Sequence, residues 1–386
     1  MMIDSIRHPI RIKKINTYVY RYPVSTPVRT SFGIMHDRPA IFVQIQSDSG
    51  AMGWGEIWCN FPACGAEHRA RLVESVIAPA LLNKSFDSPI DVFTFLTKKT
   101  RILGLQSGEI GPLAQTIAGI DIALWDLVGN ELGLPLWKLL GGKSEQIHVY
   151  ASGINPDKPE NVVKQRLSEG HQSFKLKIGF DIQKDVENIK NIKAIINDLP
   201  LMVDVNQAWD LEAAKSNIAL LNDFDLDWIE EPIPVNSSES DWTEISRISK
   251  ADLAGGENFC GESDFEKGIS SRALGVIQPD IAKWGGFSGC LPISKKIIKS
   301  NLRFCPHYLG AGVGLLASAH LLAATGGSGK LEIDANENPL RSLTAGEANI
   351  VNEGIVKLSN QAGLGLQMNL DQLESYLSYS NSKEVI

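Results

Sequence analysis

The most constraining feature of this sequence is a recurrence. From about residue 147 onward, short apolar runs alternate with amphipathic stretches, and after the first run each closes on or near an ionisable side chain. Those side chains are Lys177, Asp204, Glu230, Glu257, Asp280, His307 and Glu332, at intervals of 27, 26, 27, 23, 27 and 25 residues. One βα unit of a closed barrel takes roughly 25 residues, so the period is that of a (β/α)8 architecture. The runs IHVYAS, SFKLKIG, LMVDVN, WIEEP, LAGGE, VIQPD, RFCPH and LEID supply eight strands, and stretches such as DVENIKNIKAIINDL and LPISKKIIKSN are long enough to cross back as helices. In a barrel the C-terminal strand ends share one mouth, so seven ionisable groups are expected to converge there.

The chain ahead of the barrel has a different style. Segments 12–21, 40–47 and 53–58 alternate as antiparallel strands, with a turn signal at Asp48-Ser49-Gly50. From about 67 to 140 the apolar spacing is helical, and Ile117, Ile120, Ala123, Leu124 and Leu127 fall on one face. An α+β unit of about 140 residues followed by a barrel is the predicted organisation.

Several function classes are excluded by simple counts. With 37 Lys+Arg against 45 Asp+Glu, a basic face for nucleic acid is not expected. No apolar run reaches the roughly 18 to 20 residues of a membrane span, the nearest being 313–325, interrupted by His320. No apolar signal segment follows the basic residues of the N-terminus, which points to a cytoplasmic address. Five cysteines, an odd number with no CxxC pair, argue for reduced thiols and against a disulfide framework or zinc site.

The chemistry concentrates at the strand ends. Asp204, Glu230 and Glu257 are carboxylates on successive strands, and three such charges at one mouth call for a counter-ion. An all-oxygen set suits Mg2+ better than zinc, although any one of the three alone would read as a solvated loop residue or helix N-cap. Lys175 and Lys177 lie two apart on one strand and so face the same side. Their mutual repulsion, ~2.4 kcal/mol at about 7 Å and an effective dielectric near 20, is expected to lower one lysine toward ~8 and make it a general base. On neighbouring strands, Asp280 can hold the His307 imidazole in one tautomer and raise its basicity, giving a second acid/base. Glu231 is an alternative to Glu230, since adjacent strand residues face opposite ways. Gly310, Gly312 and Gly314 read as a backbone bend near ligand, and Trp54, Trp58 and Trp209 as packing.

The motifs FKLKIG (174–179), DVNQAW (204–209), IEEP (229–232), GGEN (255–258), QPDIAKWGG (278–286), PH (306–307) and LEID (331–334), in this order and spacing, resemble the enolase superfamily and within it the mandelate racemase subgroup. The segment 119–142 resembles the family's link from cap to barrel. The resemblance implies a modified TIM-type barrel, (β/α)7β, over 141–338, an α+β capping domain over 1–140, and a C-terminal segment, 339–386, returning to the cap. It implies Mg2+ on Asp204, Glu230 and Glu257, Lys177 as one base with Lys175 as its electrostatic helper, and Asp280 with His307 as the other base or acid. Glu332 would hydrogen-bond a substrate carboxylate oxygen, and Asn206 would contact ligand. Cap segments around 21–35 and 57–68 would close the site, with Arg29 and Asn60 among their polar groups. Lys283 falls at a shared KxGG position, while Asp280 stands where the lactonising and dipeptide-epimerising relatives carry a lysine. The implied reaction is α-proton removal from a small carboxylate through an enediolate, as an acid-sugar dehydratase or as a racemase or epimerase. A homo-oligomer is implied as well. A Schiff-base aldolase or a non-catalytic binding protein are the rival readings from other classes.

Overall fold

The computed structural model describes residues 3–30 and 33–385, with the side chains of Ser5, Thr26, Arg29, Thr30 and Glu347 outside the description. A long hairpin of β1 (Ile10–Thr30) and β2 (Gly33–Ser47) opens the chain, and β3 (Met52–Ile57) extends it. The sequence reading gives 21–35 as a cap segment that closes the site, and within it the paired strands extend as far as Thr30 and resume from Gly33. Pro23 and Pro27 lack N–H donors, and the register shifts between Pro23 and Val28 without ending the pairing. β4 (Ser85–Phe86) pairs with the start of β1, and β14 (Leu377–Glu384) runs antiparallel along β1 from the far end of the chain.

Helices α1 (Gly65–Leu72), α2 (Ala78–Leu81), α3 (Pro89–Ser107) and α4 (Ile110–Leu132) complete this unit. Ser88 caps α3 by accepting from Asp91 N, proline occupies its first turn, and left-handed Gly108 ends it. Helix α4 departs from its predicted single apolar face, because every residue from Thr116 to Gly129 is buried. It lies between β3 and a barrel helix, so closely that a Cβ on Gly55 would sit 2.0 Å from the Gly119 carbonyl oxygen. Its two buried acids serve backbone amides of other elements: Asp121 accepts from Ser288 N, and Asp126 from Trp54 N and Leu364 N. Burial pushes both carboxyls up to about 7.

The barrel strands are β5 (Gln146–Ile154), β6 (Phe174–Lys177), β7 (Leu201–Asp204), β8 (Trp228–Glu230), β9 (Asp252–Gly255), β10 (Val276–Ile277), β11 (Arg303–Phe304) and β12 (Leu331–Asp334). They run parallel in the order β11-β10-β9-β8-β7-β6-β5-β12, so the last strand returns beside the first. Among the described residues no ladder joins β11 to β12. Gly329 fills that seam, where a Cβ would lie 1.8 Å from the Phe304 carbonyl oxygen. Helices α5 (Leu136–Leu139), α6 (Pro159–Ser168), α7 (Ile182–Ile196), α8 (Leu211–Leu221), α9 (Glu239–Ile248), α10 (Glu262–Ser271), α11 (Gly286–Lys299), α12 (Gly312–Thr325) and α13 (Pro339–Thr344) lead into, connect or follow the strands, and β13 (Ile355–Lys357) pairs with β5. All five cysteines are free thiols. No helix among the described residues is long and apolar enough to cross a membrane.

The barrel interior explains the aim of the polar groups. Tyr150, Met202, Trp228, Ala254, Val276 and Cys305 form a buried cluster of their own. Side chains two residues further along a strand project to the same side. Met202 is thus followed inward by Asp204, Trp228 by Glu230 and Cys305 by His307, and these groups stand on an apolar floor.

His320, in the apolar run of α12, is buried and its Nδ1 accepts from the backbone N–H of Trp137 in the first turn of α5. Burial lowers this imidazole from 6.5 to about 3. The folded state therefore keeps it neutral while the unfolded chain takes up a proton below 6.5, so stability is present above that pH and is lost as pH falls toward 3. In urea titrations, wild type should lose about 2 to 3 kcal/mol more than His320→Asn between pH 7.5 and pH 4.5. Parallel losses in the two proteins would refute this reading.

Candidate active site

Lys177, Asp204 and Glu230 are the last residues of β6, β7 and β8, in registered pairs Lys177↔Asp204 and Asp204↔Glu230. Glu257 lies two residues beyond β9, and Asp280 and His307 three beyond β10 and β11. Glu332 differs from the predicted strand-end position, being the second residue of β12 and thus deeper in the barrel.

Each carboxylate is turned to a cation. Asp204 Oδ2 accepts from Lys177 Nζ at 2.5 Å, and Lys177 also donates to Asn206 Oδ1 at 2.7 Å. Both oxygens of Glu230 accept from Lys175 Nζ at 2.6 Å, and its Oε2 accepts further from Gln278 and Trp228. His307 stands between two acids, with Nδ1 2.7 Å from Asp280 Oδ2 and Nε2 2.5 Å from Glu257 Oε2. With an acceptor on either side, both ring nitrogens donate and the ring is an imidazolium. Burial opposes that charge, but Glu257 and Glu332, with the hydrogen bonds to Asp280 and Glu257, hold His307 up to about 10. Glu332 accepts from Ser152 at 2.5 Å, Lys175 at 2.7 Å and Tyr308 N at 2.9 Å. Glu231 is held instead by Gln207 and Asn258.

Lys177 does not follow the expectation of a lowered lysine. Burial acts downward, as does the Lys175 repulsion foreseen from sequence, but Asp204, Glu257 and Glu230 outweigh them and hold the ammonium above its ordinary value. The sequence argument weighed Lys175 without the carboxylate on the next strand.

Among the described residues no three acidic, His or Cys side chains already converge as a metal cluster, since each acid has taken the cation beside it. The donor set nevertheless fits a hard divalent ion, because Asp204, Glu230 and Glu257 offer only carboxylate oxygens. Six buried carboxylates (Asp204, Glu230, Glu231, Glu257, Asp280, Glu332) face four basic groups (Lys175, Lys177, Lys283, His307), an excess of two negative charges. That excess is felt within the cluster: burial and Asp204 push Glu230 up to about 7, and burial with Glu257 and Asp204 pushes Glu231 up to about 8.

Above these groups opens a cleft of about 560 Å³ including its mouth. Lys177, Asn206, Glu257, His307 and Asn60 line it, while Lys175, Asp204, Glu230, Asp280 and Glu332 lie beneath. Val28, Met35, Trp58 and Phe61 form the apolar side, so both cap segments named from the sequence reach the cleft. The Arg29 side chain lies outside the described residues. Trp58 was read as packing; it lines the cleft with the Lys283 ammonium 4.7 Å from its ring centre. Lys283, read from sequence only as a family position, is 3.5 Å from Glu257 Oε1. Gly310 and Gly314 are glycines because a Cβ at either would come within 2.2 Å of Tyr308, next to His307. Asn155 and Asn336 were missed. The strand-end rule was applied after the first strand only, which skipped Asn155, and Asn336 lies two residues beyond the end of β12.

Comparison with known proteins agrees with this fold. Residues 14–141 match the family described as mandelate racemase/muconate lactonizing enzyme, N-terminal domain, and residues 160–372 match that described as enolase C-terminal domain-like. The chain superposes on a mandelate racemase/muconate lactonizing enzyme from Bordetella bronchiseptica RB50 with a TM-score of 0.91 and 48% identity, covering 96% of this chain and 100% of that one. A racemase from Streptomyces coelicolor A3(2), solved with bound magnesium, gives a TM-score of 0.85 at 27% identity over 95% and 99% of the two chains. The D-galactarolactone cycloisomerase of Agrobacterium fabrum is 27% identical over 95% of this chain and 99% of its own. Further relatives are dehydratases, cycloisomerases, racemases and epimerases.

Proposed function

This chain belongs to the mandelate racemase/muconate lactonizing enzyme family, and from that premise we propose that it removes the α-proton of a small carboxylate substrate and dehydrates an acid sugar to a 2-keto acid. The observation that carries this reading is the pairing of Lys177, at the end of β6, with an imidazolium, His307, beyond β11, in one cleft above three buried carboxylates.

Asp204, Glu230 and Glu257 would hold Mg2+, which when bound supplies positive charge against the negative charge that develops on the substrate carboxylate as the α-proton leaves. The carboxylates that hold the Lys177 ammonium are the same three that would turn to the metal, and relieved of them Lys177 would take that proton as the neutral amine. His307 then donates its Nε2 proton to the departing β-hydroxyl, which leaves as water, and the resulting enol tautomerises to the 2-keto acid. Asp280 keeps the ring oriented through Nδ1. Glu332 and Glu230 fix Lys175 beneath the reacting groups, and Asn206 fixes Lys177. The charged state of His307 suits proton donation in either reaction, and elimination is favoured by the dehydratases among the relatives. Racemisation is the second reading, in which His307 returns the proton to the opposite face, and racemases among the relatives support it.

The test is incubation in D2O with a panel of sugar mono- and diacids and α-hydroxy acids, reading α-hydrogen exchange by NMR together with 2-keto acid. Keto acid formation is expected for at least one acid sugar. Exchange without keto acid supports racemisation, and neither signal from any acid rejects the proposal.

A further inference from the structure

The stretch 307–314 carries the chain from His307 into helix α12, and residues of the N-terminal unit hold it. Leu309 O accepts from Arg38 on β2 at 2.9 Å and from Asn60, beyond β3, at 3.2 Å. Ala311 N and Gly314 N donate at 2.6 Å and 2.8 Å to the two carboxylate oxygens of Glu56, a buried residue of β3. Ala311 is the N-cap of α12 and brings no capping side chain, and Gly314 is the third residue of the helix. These are the two amides that a capping box satisfies from within a helix, and here one carboxylate from the other domain satisfies both.

The local sequence makes room for that carboxylate, since a Cβ on Gly310 would lie 2.8 Å from Glu56 Oε1. The same strand end also reaches the partner of His307. Trp58 N donates to Ala282 O at 3.4 Å, Ala282 N donates to Asp280 Oδ1 at 2.8 Å, and Asp280 Oδ2 holds His307 Nδ1 at 2.7 Å. Three residues separate His307 from Ala311, and two of their carbonyls are already bound, Leu309 O by Arg38 and Asn60 and Gly310 O by Asn338. So short and pinned a link transmits a shift of the first turn of α12 to the ring, and a displacement near 1 Å at a reacting group costs up to about 10²-fold in rate.

We infer that Glu56 is a positioning residue for His307: it caps α12 from the other domain and thereby sets where the imidazole stands in the cleft. This rests on the proposed role of His307 as proton donor and adds the group that holds it in place.

The test uses the full-length, Mg2+-loaded protein at about pH 8.5, above the value of about 7 to which burial pushes the Glu56 carboxyl, so that wild type carries the carboxylate. Glu56→Gln keeps the size of the side chain and sets an amide N–H2 against a backbone N–H. Keto acid should fall about 30-fold and α-hydrogen exchange less than about 5-fold, a weaker form of the His307→Asn pattern. Adding Glu56→Gln to His307→Asn should cost less than about 3-fold more, because both act through one ring. Asp126→Asn is the control for lost stability, since Asp126 holds β3 at Trp54 N and does not touch 307–314; it should lower the melting temperature and leave the ratio of exchange to keto acid unchanged. Glu56→Asp keeps the charge on a shorter side chain and should show the same pattern if the glutamine variant does not fold. Additive losses in the double variant, or a shift of that ratio in Asp126→Asn as large as in Glu56→Gln, would overturn the inference. No reaction with any acid would reject the proposed reaction instead, and backbone hydrogen exchange of 308–314 would then decide: protection lost there in Glu56→Gln supports the inference, and protection kept overturns it.

Discussion

Glu230→Gln should reduce turnover about 10³-fold or more while the protein remains folded. The substitution keeps the size of the side chain and removes one of three charges proposed to hold the metal. It also turns an amide N–H2 toward donors, because the oxygens of Glu230 accept from Lys175, Gln278 and Trp228. Lys175 keeps a carboxylate partner in Glu332 at 2.7 Å, so the buried ammonium is not orphaned. The stability cost is therefore expected to be ~2 kcal/mol, a fall of roughly 2 to 3 °C in melting temperature with cooperativity retained. Activity assayed across Mg2+ concentration, with a melting curve beside it, separates the two effects. Turnover within about 10-fold of wild type at low Mg2+ would count against the metal assignment.

Lys177→Ala and His307→Asn should fail in different ways. Removing Lys177 takes away the proton acceptor, so α-hydrogen exchange and keto acid formation should both fall about 10³-fold, with the loss in kcat rather than KM. Replacing His307 removes the acid for the leaving hydroxyl but leaves Lys177 and its partners Asp204 and Asn206 in place. Keto acid should then fall about 10³-fold while a larger fraction of exchange survives. Quantifying deuterium at the α-carbon and keto acid in the same tube reads both. Equal loss of both signals in His307→Asn would show that His307 does more than protonate the leaving hydroxyl, and retained exchange in Lys177→Ala would remove Lys177 as the base.

The chemical centre was legible in the sequence because a βα period near 26 residues places inward side chains at predictable positions. Lys177, Asp204 and Glu230 follow directly from it, and Glu257, Asp280 and His307 follow within a few residues of their strand ends. What the period cannot supply is what each side chain faces. Lys177 was judged against Lys175, its neighbour in sequence, whereas Asp204 at 2.5 Å is a neighbour only across the sheet. The same limit applies to α4: its buried polar side, with Asp121 and Asp126, makes sense only once Ser288 and Leu364 are brought to it. Asn155, Asn336 and Lys283 lie beyond strand ends, where a polar residue in sequence is indistinguishable from an ordinary loop residue until the cleft is seen. The strand pairing of 21–30 with 33–39 was hidden by two prolines that break the alternation without ending the pairing.

Exchange of the substrate α-hydrogen in D2O, measured with EDTA and again after adding back Mg2+, is the most direct test of the central claim. Exchange should vanish with the chelator and return with the metal in wild type, and should stay absent in Lys177→Ala under both conditions. Exchange that persists in EDTA, or that Mg2+ restores in the absence of Lys177, would contradict a lysine base working beside a carboxylate-held ion.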